Sequence, residues 1–150
     1  MKVIIQRVSK ASVTINEVKV ASIKKGLLIL LGITNEDNQE DVNWLVRKII
    51  NLRIFNDEDG VMNHSLIDVD GNAIVVSQFT LHASTKKGNR PSYTKAAKPE
   101  IAIPLYHNFL KTLETALGKT LQTGQFGADM KVELLNDGPV TITIDSKNKE

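Results

Sequence analysis

An α/β fold is predicted for this chain: a single domain with a mostly antiparallel, curved or barrel-like sheet carrying two main helices. Three observations predict it. Short strand-like runs follow one another at close spacing through the first 32 residues, the pattern of a meander. Apolar residues return with the helical period over 42–50 and again over 105–117. The last part of the chain alternates apolar and polar residues, as a strand with one covered face does.

The elements follow in order. Val3 to Ile15 is strand-like, with Val13 and Ile15 alternating against Thr14 and Asn16. Asn16-Glu17 turns the chain into a second run, Val18 to Ile23. Gly26 and Gly32 bracket Leu27–Leu31, an apolar run far too short to span a membrane and therefore read as a buried strand. Val42, Leu45, Val46, Ile49 and Ile50 form one helical stripe, with Asp37 or Asn38 as N-cap and Lys48 where a cation suits the helix dipole. Trp44 lies off that stripe, at a flank or an interface. Asn56-Asp57-Glu58-Asp59-Gly60 lacks the later bidentate Glu of a calcium loop and reads as a hairpin turn.

Ala73 to Phe79 is a second dense apolar strand. The second helix starts near Pro99-Glu100 and tolerates Pro104 in its first turns. It keeps its period through Leu105, Tyr106, Phe109, Leu110, Leu113, Ala116 and Leu117 and stops at Gly118. Strands are expected at Leu121–Phe126, Met130–Leu135 and Val140–Ile144, and a polar tail from about Ser146 is expected to fray.

Composition narrows the functional classes. With 150 residues, 41% hydrophobic and 24% charged, the chain fits one ordinary globular domain. A net charge of +2 gives no global field for nucleic acid, so any such role needs a local patch. The absence of cysteine removes disulfides, thiolate nucleophiles and sulfur metal sites, and fits the cytosol. The apolar run after Met1-Lys2 is too short for a signal peptide, so a cytoplasmic protein without membrane attachment is expected. His64, His82 and His107 are widely spaced, with neither HxH nor HExxH; neither a metal nor another cofactor is expected.

Two runs carry the chemistry. Ser77-Gln78-Phe79-Thr80-Leu81 sets hydroxyl and amide groups at the end of an apolar strand, where a small polar substrate can be met. A threonine nucleophile needs a base beside it, and in an extended strand His82 would share a face with Thr80 and Gln78. No carboxylate is placed to orient His82, which favours the other reading: Gln78 and Thr80 position a substrate, while backbone N–H groups around Phe79 and Thr80 stabilise an oxyanion. Each such donor is worth about 3–4 kcal/mol in a closed site.

The second run, Asn136-Asp137-Gly138-Pro139-Val140-Thr141, reads as a turn between two alternating strands. A cis bond before proline occurs in only about 5–6% of cases, so the residues alone do not assign one. A third run, Phe126 to Met130, reads as a glycine-bent approach to a strand and is given no chemical role. Between Gly71 and Pro99 there is no Asp or Glu, while Lys86, Lys87, Arg90, Lys95 and Lys98 fall there with Tyr93 among them. This is a solvated loop, or a phosphate-tracking patch with Tyr93 available to stack.

The first two runs together resemble the signature pair of the D-aminoacyl-tRNA deacylases, and the likeness extends from Lys2 to about Asp145, Phe126–Met130 included. The resemblance implies a homodimeric hydrolase that cuts the ester between a D-amino acid and the terminal adenosine of tRNA, a proofreading activity that also removes mischarged glycine. It places catalysis on Ser77, Gln78, Phe79 and Thr80, with the 2′-hydroxyl of the terminal ribose able to assist. It implies a cis Gly138–Pro139 peptide whose carbonyls enter the partner subunit's active site as a chiral filter, placing that site near the subunit interface. A rigid backbone wall excludes L side chains by collision and cannot reject glycine. A thousandfold preference needs only about 4 kcal/mol. Lys86, Lys87 and Arg90 are the residues expected to bind tRNA. The reading from a different class is a non-catalytic nucleic-acid-binding domain that uses the basic 86–98 loop.

Overall fold

Strand β1 (Lys2–Ile15) organises the chain, because it is long enough to serve three partners. In the computed structural model, which describes residues 1–150, its first half pairs antiparallel with β3 (Gly26–Gly32) and its second half with β2 (Val18–Ile23). Strand β8 (Lys131–Asp145) runs antiparallel to β1 from Lys2 to Thr14. Helix α1 (Gln39–Asn51) and a hairpin of β4 (Phe55–Asn56) and β5 (Met62–His64) follow β3. Strand β6 (Asn72–Ser77) then returns parallel to β3, and after helix α2 (Pro99–Leu117) the short β7 (Gln122–Thr123) pairs parallel with β6. The sheet order is β2-β1-β3-β6-β7, with contacts between β2 and both β6 and β7 curling it towards a barrel. The sheet is thus mixed, antiparallel around β1 and parallel at β3, β6 and β7.

Both sheet faces are covered, which explains the continuous apolar runs at Leu27–Leu31 and Ala73–Val76. Leu27, Ile29, Leu31, Ala73 and Val75 join the larger core under the two helices, while Leu28, Ile74 and Val76 point into the smaller core inside the curl. The α1 stripe Val42, Leu45, Val46, Ile49 and Ile50 is buried as its period predicts. Asn38 is the N-cap, accepting from Glu40 N at 2.8 Å while Asp41 accepts from Asn38 N at 2.9 Å. Helix α2 ends at Gly118, whose φ of 73° lets its N–H reach Glu114 O at 2.9 Å. No helix is long and apolar enough to cross a membrane.

Four expectations need correction. The strand expected over Leu121–Phe126 shrinks to Gln122–Thr123, because only there does the chain lie beside β6. The run expected as strand through Phe79 leaves the sheet at Ser77 and turns into a 3-10 helix over Phe79–His82. The two strands expected around Asn136–Thr141 are one strand, β8, in which residues 137–140 bulge out opposite Arg7 of β1. Turn chemistry predicted a reversal of direction, but pairing with one long neighbour keeps both halves running the same way. Finally, Ser146 is buried rather than frayed: its Oγ accepts from the Met1 amine at 3.0 Å, and Lys147 Nζ donates to Asp41 Oδ2 at 2.8 Å. Lys48 and Lys149 flank Trp44, at 5.7 and 5.0 Å from its ring.

Candidate active site

The end of β6 delivers the chain to a tight turn. Gln78 N donates to Leu31 O at 2.8 Å, which continues the ladder one residue beyond β6 and fixes where the turn begins. The turn lies tightly against β3: a Cβ at Gly32 would sit 3.0 Å from Leu81 Cβ and 3.1 Å from Gln78 O, so any larger residue there would make the turn give. The first amide donor inside the turn is Leu81 N, to Gln78 O at 3.3 Å, and no side chain caps the turn. The N–H groups of Phe79 and Thr80 precede that bond, so they are orphan donors of the kind an anionic oxygen can take.

A cavity of about 270 Å³ opens beside the turn. Ser77, Gln78 and Phe79 line it together with Phe126, Gly127, Ala128, Asp129 and Met130. The run Phe126–Met130, given no role from the sequence, is therefore a wall of the site. The signal that could have found it was its match to the same family pattern as the other two runs. Thr80 is not on the wall; its Oγ1 accepts from Gln78 Nε2 at 2.5 Å, which leaves the hydroxyl proton free to donate.

His82 is not Thr80's partner. In a 3-10 turn residues two apart no longer share a face, and His82 is buried at 6% exposure. Burial holds its imidazole below the ordinary histidine pKa, against a backbone hydrogen bond at Gly32 that works the other way. No side-chain base stands beside the Thr80 hydroxyl, whose hydrogen-bond partner is an amide. No group of three or more His, Asp or Glu residues is arranged to hold a metal ion.

The Gly138–Pro139 peptide is cis, and both residues are exposed on the bulge of β8. Neither lines the cavity of its own chain. One buried side chain, missed in the sequence because a lone arginine after an apolar run reads as a surface residue, holds the bulge. Arg7 donates from Nε to Asp137 O at 3.0 Å and from Nη1 to Ile54 O at 2.6 Å and Asn56 Oδ1 at 3.1 Å. Gly138 has φ 128°, and a Cβ there would sit 2.9 Å from Arg7 Nη2. Asn136 closes the neck, accepting from Val140 N at 3.2 Å and donating to Thr141 Oγ1 at 3.0 Å.

The basic loop is tied to the turn at 78–82. Ser84 and Ser92 exchange backbone hydrogen bonds of 2.8 and 2.9 Å, so the arc carrying Lys86, Lys87 and Arg90 closes on a neck. Tyr93, next after the neck, meets Phe79 edge to face with ring centroids 5.0 Å apart. Lys86, Lys87, Arg90, Lys95 and Lys98 are all without an ion-pair partner in the chain.

Residues 4–145 match the family model of D-Tyr-tRNA(Tyr) deacylase. The D-aminoacyl-tRNA deacylase of Flavobacterium psychrophilum is 72% identical over 150 residues, covering 100% of both chains. That of Bacteroides fragilis is 67% identical over the same length, again with 100% coverage of both. Among solved structures, the c-Myc DNA unwinding element binding protein superposes with a TM-score of 0.92 at 41% identity, over 97% of this chain and 98% of that one. A probable eukaryotic D-amino acid tRNA deacylase shares the fold, with a TM-score of 0.80 at 17% identity over 95% of this chain and 97% of that one. Fold, cavity and relatives together define the class as a hydrolase acting on ester bonds. Within that class, the chain belongs to the D-Tyr-tRNA(Tyr) deacylase family.

Proposed function

We propose that this protein hydrolyses the ester of D-aminoacyl-tRNA, releasing the D-amino acid and free tRNA, and spares the L-ester. The observation that carries this reading is the turn at Phe79–Thr80, which leaves two backbone N–H donors unpaired beside the cavity that Gln78 and Phe79 line, while the carboxylate of the cavity, Asp129, is paired with Lys131. An aminoacyl ester suits such a site because it is already activated. As water attacks the carbonyl carbon, the oxygen gains negative charge and the two N–H groups stabilise it; the carbonyl then re-forms, the C–O bond to the ribose breaks, and the leaving oxygen takes the proton that the water gives up. The neighbouring 2′-hydroxyl of the terminal ribose is placed to relay that proton. Gln78 and Thr80 orient the ester, and Thr80 is not acylated. The apolar wall at Phe126 and Met130 suits the flat terminal base, and Lys86, Lys87 and Arg90 track the phosphates behind it.

Handedness is read by main chain. The exposed Gly138–Pro139 bulge does not reach the cavity of its own chain, so a second copy supplies it, and the protein works as a homodimer in the cytoplasm, where tRNA is charged. A wall of backbone carbonyls collides with an L side chain, passes many D side chains, and passes glycine, so mischarged glycyl-tRNA is a further substrate.

The test is hydrolysis of D- against L-tyrosyl-tRNA by the purified protein. Rapid loss of the D-ester with the L-ester intact is expected. Equal cleavage of both would remove the chiral filter. Cleavage of neither, with RNA still retained through the 86–98 loop, would make the protein a nucleic-acid-binding module.

A further inference from the structure

We propose that Phe79 and Tyr93 form a stacking platform for the base that precedes the terminal adenosine, so that the enzyme grips the single-stranded end of its substrate by at least two bases. The inference rests on the deacylase reading and adds to it a second nucleotide subsite outside the cavity.

Three observations converge on this pair. The first is exposure: Phe79 is 56% and Tyr93 39% exposed, although each is large enough to be buried. Their 78° edge-to-face contact leaves the ring that contributes its edge with both faces unstacked and the other ring with one. The second is place. Phe79 lines the cavity and Tyr93 touches Phe79 from outside it. A strand whose last nucleotide occupies the cavity therefore meets the rings next. The third is charge. Tyr93 adjoins the Ser84–Ser92 neck, and the arc beyond holds Lys86, Lys87 and Arg90 without intrachain ion pairs. Aromatic faces beside unpaired cations are how single-stranded nucleic acid is held without sequence reading.

The backbone keeps the platform in register. Ala96 N donates to Tyr93 O at 3.0 Å, and Ala97 N donates to Ile33 O at 2.9 Å, which ties the segment after Tyr93 to the chain leaving β3. The same β3 end supports the catalytic turn through Leu31 O. Ring platform and oxyanion donors are thus set by one strand end, and a base stacked on the rings fixes the ester's distance from Phe79 N–H.

The experiment compares small substrates of one amino acid: D-tyrosyl-adenosine, D-tyrosyl-CpA, and D-tyrosyl-CpA carrying an abasic ribose in place of the cytidine. For the wild-type protein, adding the cytidine is expected to raise kcat/KM about tenfold, chiefly through KM, and the abasic version to forfeit most of that gain. Tyr93→Ala is expected to bring the ratio between the dinucleotide and adenosine substrates close to one, and Tyr93→Trp to restore it. An increment that the abasic ribose keeps assigns the gain to phosphate alone and overturns the platform. So does an increment that survives Tyr93→Ala, or a Tyr93→Ala protein whose oligomeric state changes while its increment does not, since the rings would then be a subunit contact. Failure of the wild type to cleave any of the three D-esters strikes the deacylase reading itself, which separates the two failures.

Discussion

The turn at 78–82 and the Gly138–Pro139 bulge are both short departures from regular strand, yet they are held in opposite ways. The turn at 78–82 is fixed by main chain: a ladder bond from Gln78 N to Leu31 O and a bare glycine surface at Gly32. The N–H groups of Phe79 and Thr80 stay without a backbone partner. The bulge at 137–140 is fixed by side chains, chiefly the guanidinium of Arg7, which reaches three acceptors from below. A site that must donate hydrogen bonds cannot let its amides be capped. On the proposed reading the bulge is a wall that only excludes, and such a wall can be bolted from behind. The turn should therefore be sensitive to small steric changes and the bulge to loss of one charged group.

Arg7→Ala should produce the largest effect. Its removal leaves Ile54 O and Asp137 O without their donor and frees the bulge to move. The D over L preference is expected to fall about a hundredfold, which corresponds to ~3 kcal/mol of lost discrimination, while D-ester hydrolysis survives. Initial rates on D- and L-tyrosyl-tRNA measure it, alongside the melting temperature. Arg7→Lys should recover only part, because one ammonium cannot serve the fork of acceptors. An Arg7→Ala protein that is folded and fully selective would break the comparison, since the bulge would then hold itself.

Gly32→Ala probes the turn in the same spirit. The added methyl meets Leu81 Cβ at 3.0 Å and Gln78 O at 3.1 Å, so the turn must shift by a few tenths of an ångström. The N–H groups of Phe79 and Thr80 move with it. We expect kcat on the D-ester to fall about tenfold with selectivity unchanged, as misplaced oxyanion donors do. A fall in selectivity instead would mean that turn and bulge are coupled.

This division also explains what the sequence could and could not disclose. The two helices were legible because their periods are local properties: burial follows the whole stripe Val42–Ile50, and in the second helix Tyr106, Phe109 and Leu113, though Ala116 is exposed. The position of Ser77–Thr80 at a strand end was legible for the same reason, although the turn itself was not: its shape depends on Gly32, far away in the chain. Asn136–Thr141 has the composition of a reversal, and only pairing with β1 on both sides makes it a bulge. Arg7 looked like any strand cation, because its acceptors lie at Ile54, Asn56 and Asp137. The burial of Ser146 likewise depends on the far end of the chain.

Thr80→Ala is a smaller perturbation of the turn. The hydroxyl accepts from Gln78, so its loss removes one positioning hydrogen bond and leaves the backbone donors in place. About a fivefold fall in kcat/KM is expected, in keeping with ~1 kcal/mol for one such bond. Abolished turnover with an acyl-enzyme trapped in the wild type would instead make Thr80 the nucleophile.

The smallest effect should come from a tether that bonds to neither region, and it serves as their control. Burial alone would raise the Asp41 carboxyl, but hydrogen bonds from Lys147, Ser146 and Asn38 N overcome it and bring the pKa down to about 2 from 3.8. A carboxylate with a depressed folded pKa stabilises the fold fully above its ordinary value. That contribution is lost as pH falls through 3.8 towards about 2. Lys147→Ala removes from buried Asp41 its main, partly exposed partner, so the melting temperature near neutrality should drop by about 2 °C. The gap to wild type should then close as the pH is lowered through that window, because protonated Asp41 no longer needs the ammonium. Neither kcat nor the D/L ratio should change, since Lys147 touches neither the turn nor the bulge. A loss of selectivity in this variant would show that stability lost anywhere loosens the bulge, and would deprive the Arg7 result of its meaning.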